Sequence, residues 1–336
     1  MLIQAATSRS TDRHRAAWLA AALVAFSLLA APGAARAATP NVVATVGMIG
    51  DVAAQLAGEC AQVSTLMGPG SDPHLYRASA GDVRLMERAD LVLYGGLHLE
   101  ASLARVLEGF ASRTATVAVS EVAVSPAERI AAGTVYDPHV WMDVSLWRGA
   151  AQVIADALVE AVTAAGDTEG CAERITELHA DYSTLLADLH TWAVEAKASI
   201  PERQRILVTA HDAFAYFGRA YAIEVEGIQG ISTETEAAVA DIRRVASLMV
   251  ERGVPALFVE STINPRTVNA VLEAVAQRGG HATIGSQLYA DALGAQGEPE
   301  GSYVGMILHN VRAITTALGG QLPQLPASLA EWEARW

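Results

Sequence analysis

Short apolar, β-branched runs alternate with helical patterns in the first half of the chain. Asn41–Gly47 (NVVATVG) predicts a buried strand, and Asp51–Ala57 a helix that Gly58 stops. Ala61–Met67 predicts a second strand, ended by Gly68-Pro69-Gly70. Ser79 is placed to cap a helix running to Arg88, with Asp82 in its first turn. Asp90–Tyr94 and Ala115–Val119 predict a third and a fourth strand. From Cys171 to Ser199 there is neither glycine nor proline. Ile175, Leu178, Tyr182, Leu185, Leu189, Trp192 and Ala196 step alternately by three and four, the seam of one helical face. Such a helix is about 40 Å long, more than one small lobe requires. It predicts a rigid strut, the alternative being an ordinary core helix inside one domain. A second series follows it. Strands are predicted at Arg205–Thr209, Ile223–Val225, Ala256–Val259 and Ala282–Ile284. Helices are predicted at Asp212–Arg219, Glu236–Arg252, Pro265–Arg278 and Ser302–Leu318, with a C-terminal stretch holding Trp332 and Trp336 packed on the surface. The expected fold class is α/β: two βα lobes with parallel sheets (38–170 and 201–336) joined by one long rigid helix (171–200).

The first 37 residues read as a leader, not as structure. Arg9, Arg13 and Arg15 precede an apolar run from Ala16 to Ala31, Pro32-Gly33 breaks it, and Ala35-Arg36-Ala37 offers small residues at a cleavage site. The run is shorter than the roughly 20 residues of a membrane span. No cysteine stands at the cleavage point, which argues against a lipid anchor. The expectation is a cleaved signal peptide and a soluble periplasmic chain starting near Ala38.

Composition narrows the function classes. The 336 residues are 51% hydrophobic and 18% charged, which excludes a disordered chain. The net charge of -14 becomes -17 once the leader's four arginines and Asp12 are removed. That balance argues against nucleic acid and against anionic lipid surfaces. Cys60 and Cys171 are too few for a disulfide scaffold; they either pair in an oxidising compartment or stand as two separate buried thiols.

No Gly-x-Ser-x-Gly elbow, P-loop, His-Glu-x-x-His helix or dinucleotide fingerprint is present, so no familiar catalytic frame applies. The repeated tripeptide stands out instead: Asp72-Pro73-His74 and Asp137-Pro138-His139. Proline stiffens the turn from which each imidazole projects, and a fixed neutral imidazole suits a metal. Each follows a strand, at the sheet edge where ligands bind in open α/β folds. His211 follows the strand Arg205–Thr209, and Asp291 lies in the loop after Ala282–Ile284. If the lobes face each other, three imidazoles and one carboxylate converge in the cleft. That set fits tetrahedral Zn2+, and with a bidentate carboxylate it suits Mn2+ or Fe2+. Asp143 and Glu260 are expected as further acceptors for imidazole N–H groups, with a solvated or structural role as the alternative for both. His98, His179, His190, His281 and His309 lack a preorganised loop and are assigned no ligand role.

The motifs together resemble the manganese/zinc solute-binding proteins of bacterial metal ABC transporters, the cluster A-I family. The resemblance spans the mature chain. It is carried by Gly68-Pro69-Gly70-Ser71-Asp72-Pro73-His74-Leu75-Tyr76, Gly96-Leu97-His98-Leu99-Glu100, Asp137-Pro138-His139-Val140-Trp141-Met142-Asp143, His211-Asp212-Ala213-Phe214, Phe258-Val259-Glu260-Ser261, Leu288-Tyr289-Ala290-Asp291 and Tyr303-Val304-Gly305-Met306. It implies two lobes around one buried metal held by His74, His139, His211 and Asp291, with His98 outside the site. It further implies a monomer that delivers the ion to a membrane permease with its cytoplasmic ATPase. A third imidazole at His211 leans toward zinc; the histidine-free stretch Ser120–Tyr136 lacks the His- and acid-rich loop of many zinc-dedicated members, so zinc is favoured with manganese close behind. The rival readings are a zinc-dependent hydrolase and a metal-binding adhesin on the same fold.

Overall fold

The structure is a computed structural model that describes residues 39–167 and 169–336. The expected leader, residues 1–37, lies outside the described residues. In the N-terminal half, β1 (Asn41–Ala44), β2 (Gln62–Thr65), β3 (Leu91–Tyr94) and β4 (Ala115–Ala118) form one parallel sheet in the order β2-β1-β3-β4. Parallel strands need crossovers, and helices supply them. These are α1 (Gly47–Ala57), ended by Gly58 at φ +52°, α2 (Ala80–Met86) and α3 (Ala104–Ala111). α2 begins on the expected cap: Ser79 accepts from the Asp82 amide, and Asp82 accepts from the Ser79 amide. A short helix, α4 (Val119–Ala123), and a small antiparallel ribbon of β5 (Ala131–Ala132) and β6 (Val135–Tyr136) precede the second Asp-Pro-His.

Two long helices follow. α6 (Cys171–Ala198) is the strut expected from the apolar seam, and Ile175, Tyr182, Leu189, Trp192 and Ala196 are buried. α5 (Val144–Ala164) has no counterpart in the sequence reading. Four of its nine buried residues are alanine (Ala150, Ala151, Ala155, Ala157), which weakens the hydrophobic signal yet lets α6 pack closely along it. Cys60 and Cys171 form a disulfide that ties the start of α6 to the turn before β2, which settles the pairing.

In the C-terminal half, β7 (Ile206–His211) pairs in parallel with β8 (Glu224–Gln229), and β9 (Ala256–Leu257) with β10 (Thr283–Ile284). The Phe258 amide donates to the Val208 carbonyl and joins the two pairs. The helices are α7 (Ala215–Tyr221), α8 (Val239–Arg252), α9 (Arg266–Gln277), α10 (Tyr303–Ala317) and α11 (Ala327–Glu333). Among the described residues no helix is long and apolar enough to cross a membrane.

The hydrophobic core departs from a picture of two separate lobes. One large core runs through the first sheet, α5, α6, α10 and the inner side of the second half. A smaller one holds Ile206, Val208, Ala210, Ile228, Val245, Met249, Val268 and Val275. Strand parity separates them at β7, where alternate side chains face opposite sides. Ile206, Val208 and Ala210 enter the small core, whereas Leu207 enters the large one. His211 has the parity of Leu207, so the strand delivers it toward the shared interior.

Candidate metal centre

Four side chains meet where the two halves face each other. One ligand-capable atom from each of His74, His139, His211 and Asp291 lies within 4.8 Å of the others, and all four residues are buried. His139 Nε2 is 3.3 Å from Asp291 Oδ1; His211 Nε2 and His74 Nε2 are 3.2 and 3.7 Å from Asp291 Oδ2. The rings of His74, His139 and His211 lie 5.3–6.2 Å apart by centroid, each pair tilted or edge-on. The carboxylate thus sits at the hub of three imidazoles, with its two oxygens turned to different rings.

Local chemistry explains how each residue arrives. In both Asp-Pro-His turns the aspartate accepts the histidine's own amide, His74 N to Asp72 Oδ1 at 2.9 Å and His139 N to Asp137 Oδ1 at 2.8 Å. This Asx turn, with the proline between, stiffens the loop from which each imidazole projects. His211 is the last residue of β7 and pairs in register with Gln229. Asp291 follows the bridge between Glu260 and Leu288. The loop from there to α10 folds tightly because Gly305 carries no side chain: a Cβ would lie 1.8 Å from the Pro299 carbonyl oxygen.

The imidazoles are oriented by carboxylates, but not all by those expected. His211 donates from Nδ1 to Glu260 Oε2, and its amide donates to Glu260 Oε1 at 2.9 Å. His139 turns its Nδ1 to Asp137 Oδ1 at 2.7 Å, not to Asp143. Asp143 instead caps α5, accepting the Ser145 amide and hydroxyl. The helix N-terminus that begins at the next residue, Val144, competes for that carboxylate, whereas Asp137 is already folded back on its own histidine. The signal for Asp137 was in the motif itself. For His74, among the described residues, no acceptor takes its remaining ring nitrogen.

Charge follows these contacts. Burial disfavours charge on His139, but Asp137 and then Asp291 outweigh it and hold the ring's pKa up to about 9. Burial likewise opposes charge on His211, and Glu260 with Asp291 raises its pKa well above the ordinary value. His74 goes the other way, down to about 4: burial dominates, and Asp291 cannot offset it. Asp291 is also penalised by burial, yet His211 and His139 drive its pKa well below that of an ordinary carboxylate.

The other histidines stay apart. His98 and His281 are exposed, and His98 sits in left-handed backbone at φ +67°. His309 bridges Glu300 and the Gln287 carbonyl, while His179 and His190 lie along α6.

Comparison with known proteins gives one answer. Residues 42–317 match the family model described as zinc-uptake complex component A, periplasmic. The chain is 41% identical over 286 residues to the zinc-binding protein TroA of Treponema pallidum (strain Nichols), covering 85% of this chain and 91% of that one. It is 41% identical over 280 residues to the manganese-binding lipoprotein MntA of Bacillus subtilis (strain 168), covering 83% and 89%. The solved structure of the periplasmic zinc-binding protein TroA from Treponema pallidum superposes with a TM-score of 0.80 at 40% identity, covering 84% of this chain and 99% of that one.

Proposed function

The chain belongs to the zinc-uptake complex component A family, and from that premise we propose that it captures one divalent transition-metal ion in the periplasm, zinc before manganese, and delivers it to an ABC permease with its cytoplasmic ATPase. The metal is cargo, and His74, His139, His211 and Asp291 hold it. One observation carries the reading. Nε2 of each of the three histidines and both oxygens of Asp291 are buried without a hydrogen-bond partner. The imidazole nitrogens stand 3.2–3.7 Å from those oxygens without forming a hydrogen bond, and a buried carboxylate left so is costly. The carboxylates behind His139 and His211 point those two rings at the same place. A divalent cation satisfies all five atoms at once.

Three imidazoles and a carboxylate favour zinc by ligand type. The two turned-out oxygens of Asp291 also support a fifth bond, which accommodates Mn2+ or Fe2+, so metal supply decides between them in the cell. Two ligands come from each half, so separating the halves opens the site and frees the ion. Four protein side chains occupy the positions a hydrolytic zinc would share with water, which supports binding over catalysis.

The test is His139→Ala, followed by equilibrium dialysis and metal analysis. Wild type is expected to retain about one zinc per chain. The variant loses more than about 100-fold in affinity, beyond the 10–100-fold typical of outer-sphere changes. Zinc held as tightly by the variant as by wild type overturns the reading. Metal analysis of chain purified from its native periplasm then identifies the ion carried.

A further inference from the structure

The two Asp-Pro-His loops are fastened across the cleft very differently. The His139 segment is held by several bonds to the C-terminal half. Trp141 Nε1 donates to the Ala290 carbonyl at 2.8 Å, and the Tyr303 hydroxyl donates to the Trp141 carbonyl at 2.8 Å. The Tyr216 hydroxyl donates to the Asp137 carbonyl at 3.3 Å and accepts from the Ile130 amide. For the segment 68–76, among the described residues, one hydrogen bond reaches the C-terminal half: Thr233 Oγ1 to Asp72 Oδ2, 2.6 Å.

We propose that Thr233 is a positioning residue that latches the His74 loop across the cleft through Asp72, and so sets the rate at which the bound cation leaves; the inference rests on the reading of the centre as a metal-capture site. Asp72 connects the two ends of the latch. Its Oδ1 accepts the His74 amide while its Oδ2 accepts the Thr233 hydroxyl, so one rigid carboxylate links the far half to the backbone of a metal ligand. Thr233 is itself anchored. Gln229 Nε2 donates to the carbonyls of Thr233 and Thr235, and Gln229 is the strand partner of His211. The latch therefore ties His74 to the strand that presents His211.

Two features put the exit on this side. Leu75, next to His74, is 52% exposed, whereas Val140, next to His139, is fully buried. His74 is also the imidazole farthest from Asp291, and the one without an orienting carboxylate on its other nitrogen. When Thr233 lets go of Asp72, the loop needs to break no other hydrogen bond to the C-terminal half to swing His74 away.

The experiment loads the full chain with zinc and mixes it with excess chromophoric chelator in a stopped-flow instrument. Thr233→Val, which keeps the shape but loses the donor, is expected to release zinc about 10-fold faster, the scale of one hydrogen bond to a charged group. It should still bind one zinc per chain, and the metal-free melting temperature should not move. Thr233→Ser restores the wild-type rate. Release from Thr233→Val within twofold of wild type overturns the latch, as does a Thr233→Ser variant no slower than Thr233→Val. If wild type itself retains no stoichiometric zinc, the metal-capture reading fails first and the latch with it. Hydrogen exchange on wild type needs no variant to fold. On metal removal the amides of 70–76 should gain exchange more than those of 139–142, and equal gains overturn the proposal.

Discussion

The same tripeptide occurs twice in this protein and does two different jobs. Asp137 and Asp72 each close an Asx turn on their own histidine. Beyond that they part. Asp137 also takes its histidine's ring nitrogen, and its residue neighbours are locked to Tyr216, Ala290 and Tyr303. Asp72 leaves the ring of His74 alone and reaches across the cleft to Thr233. One motif is built into the shared core and orients the ring of its histidine; the other is fastened to the far half through its aspartate and leaves the ring of its histidine alone. A short motif fixes local geometry, but what the spare oxygen of its carboxylate does depends on what the rest of the chain brings beside it.

Three perturbations sharpen or break that contrast. The largest effect is expected on a feature remote from both turns. Replacing Cys60 and Cys171 by serine removes a cross-link spanning 111 residues and should cost on the order of 3–5 kcal/mol of stability. Thermal melting should fall while the zinc release rate stays put; a change in release rate would mean that the α6 anchorage also governs the rim. Next, Asp137→Asn removes the charge behind His139 and should weaken zinc binding by about 10–100-fold in chelator competition. Asp72→Asn, whose amide still hydrogen-bonds Thr233 and the His74 backbone, should weaken it far less. Equal losses would erase the distinction between the two turns. Smallest is Tyr216→Phe, which takes one of several fastenings from the His139 side. It should cost about 1 kcal/mol of stability and leave zinc release within twofold of wild type. Release as fast as from Thr233→Val would show that the buried side opens too.

Much of the fold was legible in the sequence because its signals are local. The strands at 41–47, 90–94 and 205–209, the Ser79 cap and the long seam of α6 all rest on periodicity and capping within a few residues. The helix α5 was less legible, because four of its nine buried residues are alanine, which dilutes the hydrophobic contrast of the face it packs on α6. The shared core was also not read, since no local pattern says which of two sheets an apolar face will meet.

For the site, local features alone brought forward His74 and His139, as imidazoles on proline-stiffened turns, His211, at the end of a strand, and Asp291, in the loop after one. Their convergence within 4.8 Å, the loss of Asp143 to the N-terminus of α5, the pairing of Cys60 with Cys171 and the reach of Thr233 to Asp72 were decided only in three dimensions. The physical reason is sequence distance. Local order is set by groups a few residues apart, whereas these contacts join groups that are mostly scores of residues apart. Even the Asp143 choice turned on a competing helix end, and the parity of β7 delivers His211 only once a facing half exists to receive it.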